Sequence, residues 1–471
     1  MTIKMKTTTL QSSYKKLLGD TFTPIGIYLK IRDKFPNSIL LESSDYHGDE
    51  HSFSYICCDP ISTFIVDDNK IKIETPEEEF TKDVNESSEV IQALTDFSKA
   101  FKTDPFDFDF ITEGIFGYSS YNAVQYFEDV KIQDFKNTDR EIPEMLYHVY
   151  KHIIVFNHFN NELYIFEHKL ENEASQLDTI LGYIKKRNFP TYDFKLTSEE
   201  TSNLTDEQFA EMVQKGKDHC QRGDVFQIVV SRRFQQTFEG DEFNVYRTLR
   251  SVNPSPYLFF FDFGKFKIFG SSPEAQIVIK DQKATIHPIA GTFRRTGNDS
   301  DDAIKAEELS NDPKETSEHV MLVDLARNDL SRHGDQVKVE TFKEIQFYSH
   351  VIHLVSKVSG QMDENVSPIQ LFADTFPAGT LSGAPKHMAM SLIDKYEKDS
   401  RGYYGGAIGY LSFDGNLNHA IMIRTILSKA NTLYYQAGAG VVAKSVVENE
   451  VQEVKNKLMA LNKAIEVAGE V

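Results

Sequence analysis

Residues 407–442 read AIGYLSFDGNLNHAIMIRTILSKANTLYYQAGAGVV. Apolar and β-branched residues come in three short blocks, 407–413, 418–429 and 432–442, and Asp414–Gly415 separates the first two. An Asp-Gly pair between such blocks is a hairpin turn, so the stretch predicts an antiparallel meander. Directly after it, Val447, Val451, Val454, Leu458 and Leu461 recur at spacings of three and four. That spacing predicts a helix over 446–467 with one apolar face. A meander closed by a helix, without strand–helix–strand regularity, points to the α+β class with antiparallel sheets.

The same reading extends outward. Residues 257–263, 266–269 and 274–279 form a second predicted meander, and 147–156 with 162–167 a hairpin turning through 157–161. Short strands are expected at 38–41, 61–66 and 70–73, and helices at 316–330 and 385–396. Residues 74–89 carry seven acids and one lysine, which reads as a solvated surface loop. After a polar stretch at 195–204, Thr205 and Gln208 make a capping box, with Leu204 and Phe209 at the staple positions. The helix it starts buries Phe209, Met212, Val213 and Cys220, stops at Gly223, and leads into a buried strand over 224–234. This divides the chain into an N-terminal region, 1–195, and a second region, 196–471. No repeat occurs at a period of 20–50 residues.

Composition excludes several functions. The 471 residues carry 51 Lys and Arg against 71 Asp and Glu, a net charge of −20, which argues against nucleic-acid binding and against a polybasic membrane surface. Cys57, Cys58 and Cys220 are odd in number and include an adjacent pair, so neither a disulfide framework nor a zinc site is expected. The N-terminus lacks the apolar core of a secretory signal, and no apolar run approaches the ~20 residues of a membrane span. The expected location is the reducing cytoplasm. The 35 Phe and 21 Tyr contrast with no Trp at all.

Candidate chemistry lies at a few places. Glu315 and Glu318 open one predicted helix, and Glu450 and Glu453 lie on the last one with Lys457 four residues on. Each pair shares a helix face. Such a pair is either a solvated face or a ligand set for a hard cation such as Mg²⁺. GTLSGAP, 379–385, is either a tight turn or an anion-attracting helix start with Pro385 at the first helical position. QAGAGV, 436–441, is either a closely packed strand end or a place where backbone approaches a ligand. Arg424, inside AIMIRTIL, either faces solvent or clamps a carboxylate. His353 is a core or a catalytic histidine, and Glu274 in GSSPE is a solvated acid or one kept protonated by burial. No Ser-His-Asp order, zinc signature or dinucleotide fingerprint is present. Together these residues suggest a Mg²⁺-dependent enzyme acting on a small, carboxylate-rich molecule.

With those blocks in order, the chain resembles the chorismate-utilising enzymes, and within them the branch of anthranilate synthase large subunits. The blocks are GDVFQIVVSRRF (223–234), NPSPYLFF (253–260), GSSPE (270–274), HPIAGT (287–292), KETSEHVMLVDLARNDL (314–330), HVIHLVS (350–356), PAGTLSGAPK (377–386), YYGGAIGY (403–410) and QAGAGVV (436–442). Weaker ones are LLES (40–43) and GIFGYSSYNAVQYFE (114–128). The resemblance implies a large sandwich of two mainly antiparallel sheets with helices outside, in which the two regions can share sheets. It implies Mg²⁺ held by Glu318 and Glu453, with Glu315 and Glu450 acting through water. It implies substrate carboxylates at Tyr404, Arg424, Lys457 and the amides of Gly438 and Gly440, with Gly379 and Thr380 as further contacts. Glu274 resembles the family's general acid and His353 its active-site histidine. In that chemistry the metal polarises the ring carboxylate, a nucleophile adds at C2, the protonated 4-hydroxyl leaves, and loss of pyruvate makes the ring aromatic.

Two positions choose among relatives. Enzymes that add water carry a Lys where this chain has Gln227, and aminodeoxychorismate synthases read Pro-Ile-Lys-Gly-Thr where this chain has Ala290. Both favour conversion of chorismate and ammonia to anthranilate and pyruvate, the committed step of tryptophan biosynthesis. The alternatives are an aminodeoxychorismate synthase of folate biosynthesis and a non-catalytic tryptophan-binding regulator. No amidotransferase region is recognisable, so ammonia from glutamine implies a separate subunit. Feedback inhibition by tryptophan is implied at a pocket of Glu42, Ser43, Pro256, Tyr257, Leu258, Ile408, Gly409 and Tyr410. The chain departs from the family around Ser52, where a basic residue is usual, at Leu258, where Met is common, and at Phe293–Arg295.

Overall fold

In hydrogen-bonding order, one sheet runs Gln227–Gly240, Thr432–Val442, Thr425–Lys429, Phe266–Ser272, Tyr257–Asp262, Ile39–Glu42 and Phe53–Asp67. The other runs Ile115–Ser119, Ala407–Leu411, Leu417–Ile421, Ala275–Lys280, Lys283–Ile286 and Val351–Met362, the last also flanked by Ile289–Arg294 and Gly334–Phe347. Met145–Asn157 joins them, pairing with Phe53–Asp67 on one side and Ile115–Ser119 on the other. These pairings are antiparallel. The molecule, a computed structural model, describes residues 5–43, 52–104, 106–133, 139–347 and 351–471.

Strand alternation sorts side chains into layers. Phe259 and Phe261 join the core between the sheets, while Phe260 packs outward with helices Asp206–Arg222, Phe243–Val252 and Val447–Val467. Ile39 and Leu40 divide the same way. A third cluster covers the other sheet with helices Ser88–Lys99, Pro313–Leu330 and Pro368–Thr375. The order is therefore helix, sheet, sheet, helix, as the resemblance implied. Strands from either side of residue 195 are interleaved: Ile39–Glu42 pairs with Tyr257–Asp262, and Ile115–Ser119 with Ala407–Leu411. No helix among the described residues is long and apolar enough to cross a membrane.

Local signals hold where the chemistry is local. Thr205 and Gln208 form the reciprocal capping box, and Gly223 closes that helix in a left-handed conformation at φ 83°. Three expectations change. The acidic run 74–89 is not all loop, because Glu79–Asp83 adds an edge strand to Lys70–Glu74. Pro385 sits at the N-cap, its ψ of 141° being extended, and the helix starts at Lys386. The single strand expected over 418–429 is two, Leu417–Ile421 and Thr425–Lys429, broken at Arg424 with φ 49°.

Candidate active site

That break builds the site. Phe266–Ser272 pairs with Thr425–Lys429 in one sheet, and the continuations of the same strands, Ala275–Lys280 and Leu417–Ile421, pair in the other. Two neighbouring chains thus cross from sheet to sheet together. Their corners are tied by Ser271 N–H donating to Arg424 O (3.1 Å) and Ile421 N–H donating to Glu274 O (3.0 Å). Glu274 and Arg424 are therefore presented side by side where the sheets part. A non-glycine residue held left-handed costs about 1–3 kcal/mol, an expense typical of functional positions. Here it sets a buried guanidinium at the break, within the electrostatic reach of Tyr404, Glu274 and Glu453.

Thr380, in the short helix Gly379–Ser382, donates its hydroxyl to Glu274 Oε1 at 3.1 Å. Burial pushes the Glu274 carboxyl up to about 7, against the opposing effects of that hydrogen bond and of the Arg424 and Lys457 charges. Burial lowers the Arg424 guanidinium from its usual value, and Tyr404, Glu274 and Glu453 counteract it. Burial raises the Tyr404 hydroxyl to about 12, so it stays a donor.

Across the cleft, Gly438 and Gly440 lie within Thr432–Val442 rather than at its end, opposite Ser231 and Val229. They leave room that a side chain would fill. A Cβ at Gly440 would stand 2.6 Å from Gln227 Nε2 and 3.8 Å from Glu318 Oε1, and one at Gly438 would stand 3.1 Å from the Tyr404 hydroxyl. Gln227 is buried; its amide donates to Glu318 Oε1 at 3.3 Å, and its carbonyl oxygen has no partner among the described residues. From the last helix, Lys457 donates to Gly438 O at 2.9 Å and pairs with Glu453 at 2.6 Å. Glu450, one turn earlier, is buried.

On the far side, Glu315 Oε2 lies 3.0 Å from where a Cβ of Gly291 would be, and His353 Nδ1 donates to the Gly291 carbonyl at 3.1 Å. A carbonyl only accepts, so the neutral ring carries its lone pair on Nε2. Burial lowers the His353 pKa and keeps the ring neutral.

Among the described residues no three His, Cys, Asp or Glu side chains converge closely enough to hold a metal alone. The donor set nevertheless fits Mg²⁺, which keeps several waters and is commonly held by one or two carboxylates plus a substrate oxygen. Glu318, fixed beside Gly440 by Gln227, and Glu453, fixed by Lys457, would be those carboxylates.

A profile of the chorismate binding enzymes matches residues 38–463. The chain belongs to that family. Among its relatives, anthranilate synthase component 1 of Aquifex aeolicus (strain VF5) is 36% identical over 481 residues, spanning 97% of this chain and 95% of the relative. The protein of the same name from Lactococcus lactis subsp. lactis is 35% identical, spanning 95% and 98%. The crystal structure of anthranilate synthase component I from Streptococcus pneumoniae TIGR4 superimposes with a TM-score of 0.78 at 31% identity, covering 94% of this chain and 98% of that one. The menaquinone-specific isochorismate synthase of Escherichia coli, 16% identical with a TM-score of 0.73, shares the fold.

In this chorismate binding enzyme the residues named for inhibition fall on two faces. Tyr257, Ile408 and Tyr410 belong to the core between the sheets, where the Tyr410 ring lies 5.9 Å from Tyr55 and 5.8 Å from Phe116. Gly409, between Ile408 and Tyr410, packs against the Asn418 backbone, and Pro256 and Ser43 are half-buried. Glu42 and Leu258, directly opposite each other, face the helices instead. Glu42 accepts from Tyr246 at 2.7 Å and from Arg250 at 3.0 Å, partners that sequence alone does not suggest. Ser52 is buried, and residues 44–51 before it lie outside the described residues. The Phe293–Arg295 departure gains a partial account. Arg295 Nε donates to the buried Asp302 at 2.7 Å, which also accepts from Thr296 N–H at 2.6 Å. That ties the strand carrying Gly291 to the next helix.

Proposed function

We propose that this chain is the chorismate-converting subunit of an anthranilate synthase, forming anthranilate and pyruvate from chorismate and ammonia in the first committed step towards tryptophan. The observation that carries the reading is the convergence on one cleft of a carboxyl whose pKa is raised to about 7, a buried guanidinium at a strand break, and carboxylates from two helices. Chorismate has two carboxylates. Arg424, Tyr404, Lys457 and the backbone at Gly438 and Gly440 suit them, with Gly379 and Thr380 alongside. Glu318 and Glu453 would hold Mg²⁺, with Glu315 and Glu450 as the pair acting through water, and the ion would supply Lewis acidity at the ring carboxylate.

Glu274 gives its proton to the 4-hydroxyl, which leaves as water. Gln227, being neutral, cannot deprotonate a nucleophile; ammonia needs no such help, and water does. His353 assists the second step, in which the enolpyruvyl chain is lost as pyruvate and the ring becomes aromatic. In His353→Ala, pyruvate release is expected to slow about 10²-fold or more while the first addition persists. An unchanged rate of pyruvate release would refute this role.

Ammonia comes from glutamine through a separate amidotransferase subunit in the cytoplasm, and tryptophan inhibits at the site of Glu42, Ser43, Pro256, Tyr257, Leu258, Ile408, Gly409 and Tyr410. The test is incubation with chorismate, Mg²⁺ and ammonium, with and without tryptophan. Anthranilate fluorescence should appear and fall when tryptophan is added; a 4-amino product in its place would overturn the assignment in favour of aminodeoxychorismate synthesis. Because the chain contains no Trp, the emission of added tryptophan reports its own binding. Tyr410→Ala is expected to weaken that signal about tenfold or more, since it removes an aromatic wall. Equal binding by the variant would move the pocket elsewhere.

A further inference from the structure

Arg401 is buried, yet none of the chemistry above uses it. A buried guanidinium needs an anion, and Glu397, four residues earlier at the end of the helix Lys386–Tyr396, supplies it by accepting from Nε at 2.8 Å and Nη2 at 2.6 Å. Glu397 is itself buried and accepts from the Ser231 N–H and hydroxyl, each at 2.8 Å. The remaining donors go to backbone. Nη1 donates to Leu381 O at 2.6 Å and Nη2 to Val229 O at 2.7 Å. The guanidinium also lies 4.8 Å from the Tyr121 ring and 5.8 Å from the Tyr404 ring.

Three of these contacts reach a site residue or its near neighbour in the chain. Leu381 follows Thr380, Val229 lies two residues from Gln227, and Tyr404 is itself in the cleft. The Leu381 contact is the most consequential. Gly379–Ser382 is a four-residue helix, too short to be stable alone and unable to satisfy its own last carbonyls. Its place is set by anchors from outside and by the Ser382 hydroxyl, which donates to Ala378 O at 3.0 Å. Arg401 is the charged anchor, and the residue directly before the carbonyl it holds is the one that reaches Glu274.

We propose that Arg401 is a positioning residue: its guanidinium fixes the Gly379–Ser382 turn and so holds the Thr380 hydroxyl against Glu274. This rests on the reading of Glu274 as the proton donor. Glu274 faces two charges, Arg424 on the neighbouring bend and Lys457 on the last helix, and one neutral donor, Thr380. Both charges stay when Arg401 changes. Only the Thr380 hydrogen bond, which favours the ionised carboxyl, is loosened.

Arg401→Lys keeps a charge for Glu397 but loses the planar fork that reaches two carbonyls at once. It is expected to lower kcat roughly 10- to 100-fold. It should also move the basic limb of the kcat–pH profile upward, because Glu274 then holds its proton to higher pH. Thr380→Val should move that limb in the same direction, and the double variant should move it no further than the larger single shift. If Thr380→Val moves the limb and Arg401→Lys does not, or if the two shifts add, the positioning role is wrong. If Thr380→Val leaves the limb in place, the reading of Glu274 as the titrating acid fails instead, and the inference falls with it. Should Arg401→Lys not fold, Ser382→Ala loosens the same turn at the Ser382 hydroxyl and carries the same expectation.

Discussion

Replacing Glu274 with glutamine is expected to lower kcat about 10²- to 10⁴-fold while leaving the fold intact. The side chain keeps its size and can still accept from Thr380, but it has no proton to give. Burial holds the parent carboxyl near 7, so the protonated form is complete well below that pH and lost above it. The parent's kcat should therefore fall on a basic limb near 7, and the variant should lack that limb. Stability should move the other way. A carboxyl whose pKa is raised by folding binds more protons folded than unfolded between its ordinary value and about 7, so it weakens the fold progressively as pH rises through that window. At pH 8 the glutamine variant should melt at a temperature equal to or above the parent's. A variant that melts lower, or that keeps both its rate and its basic limb, would remove Glu274 from the role of acid.

Sequence discloses this molecule where one segment decides its own structure. Thr205 and Gln208 cap each other and Gly223 needs a left-handed turn, so that helix is legible at both ends. The meander 407–442 is legible because its turns are local. Arg424 is the counter-example. AIMIRTIL has the pattern of one uninterrupted strand, and no periodicity reveals that its arginine has positive φ. The break is imposed from outside, by strands that must change sheets together at 272–275 and 421–425. The edge strand Glu79–Asp83 was hidden for a related reason, since its place comes from its partner Lys70–Glu74 rather than from its own acidic residues. Layers were hidden too. Alternation in 39–42 and 257–262 shows two faces but not which one meets the helices, and so Glu42 turns to Tyr246 and Arg250 and away from the core between the sheets. Arg401 gave the faintest signal, a cation beside glycines and tyrosines in RGYYGG, and its carbonyl partners lie 20 and 172 residues away.

Glu318→Ala is expected to reduce turnover more than about 10³-fold, because Lewis-acid stabilisation of developing charge contributes several kcal/mol and each 1.4 kcal/mol is a factor of ten. Gln227 donates to Glu318, and glycine at 440 leaves room beside its carboxylate. Loss of the carboxylate should cut Mg²⁺ dependence as well as rate. Mn²⁺, used as a paramagnetic probe, should bind the parent and not the variant. Gln227→Ala separates the two effects: it removes one donor to Glu318 while sparing the carboxylate itself, so metal binding should survive. Glu318→Ala also leaves the buried Gln227 amide without its 3.3 Å acceptor, so a modest loss of stability is expected beside the loss of rate. Without added Mg²⁺ the variant should melt at most modestly below the parent, so the loss of turnover is not a loss of fold. An active preparation whose turnover is indifferent to this substitution would mean that the cation, if one is used, is held elsewhere, and the assignment of the two glutamate pairs would have to be abandoned with it.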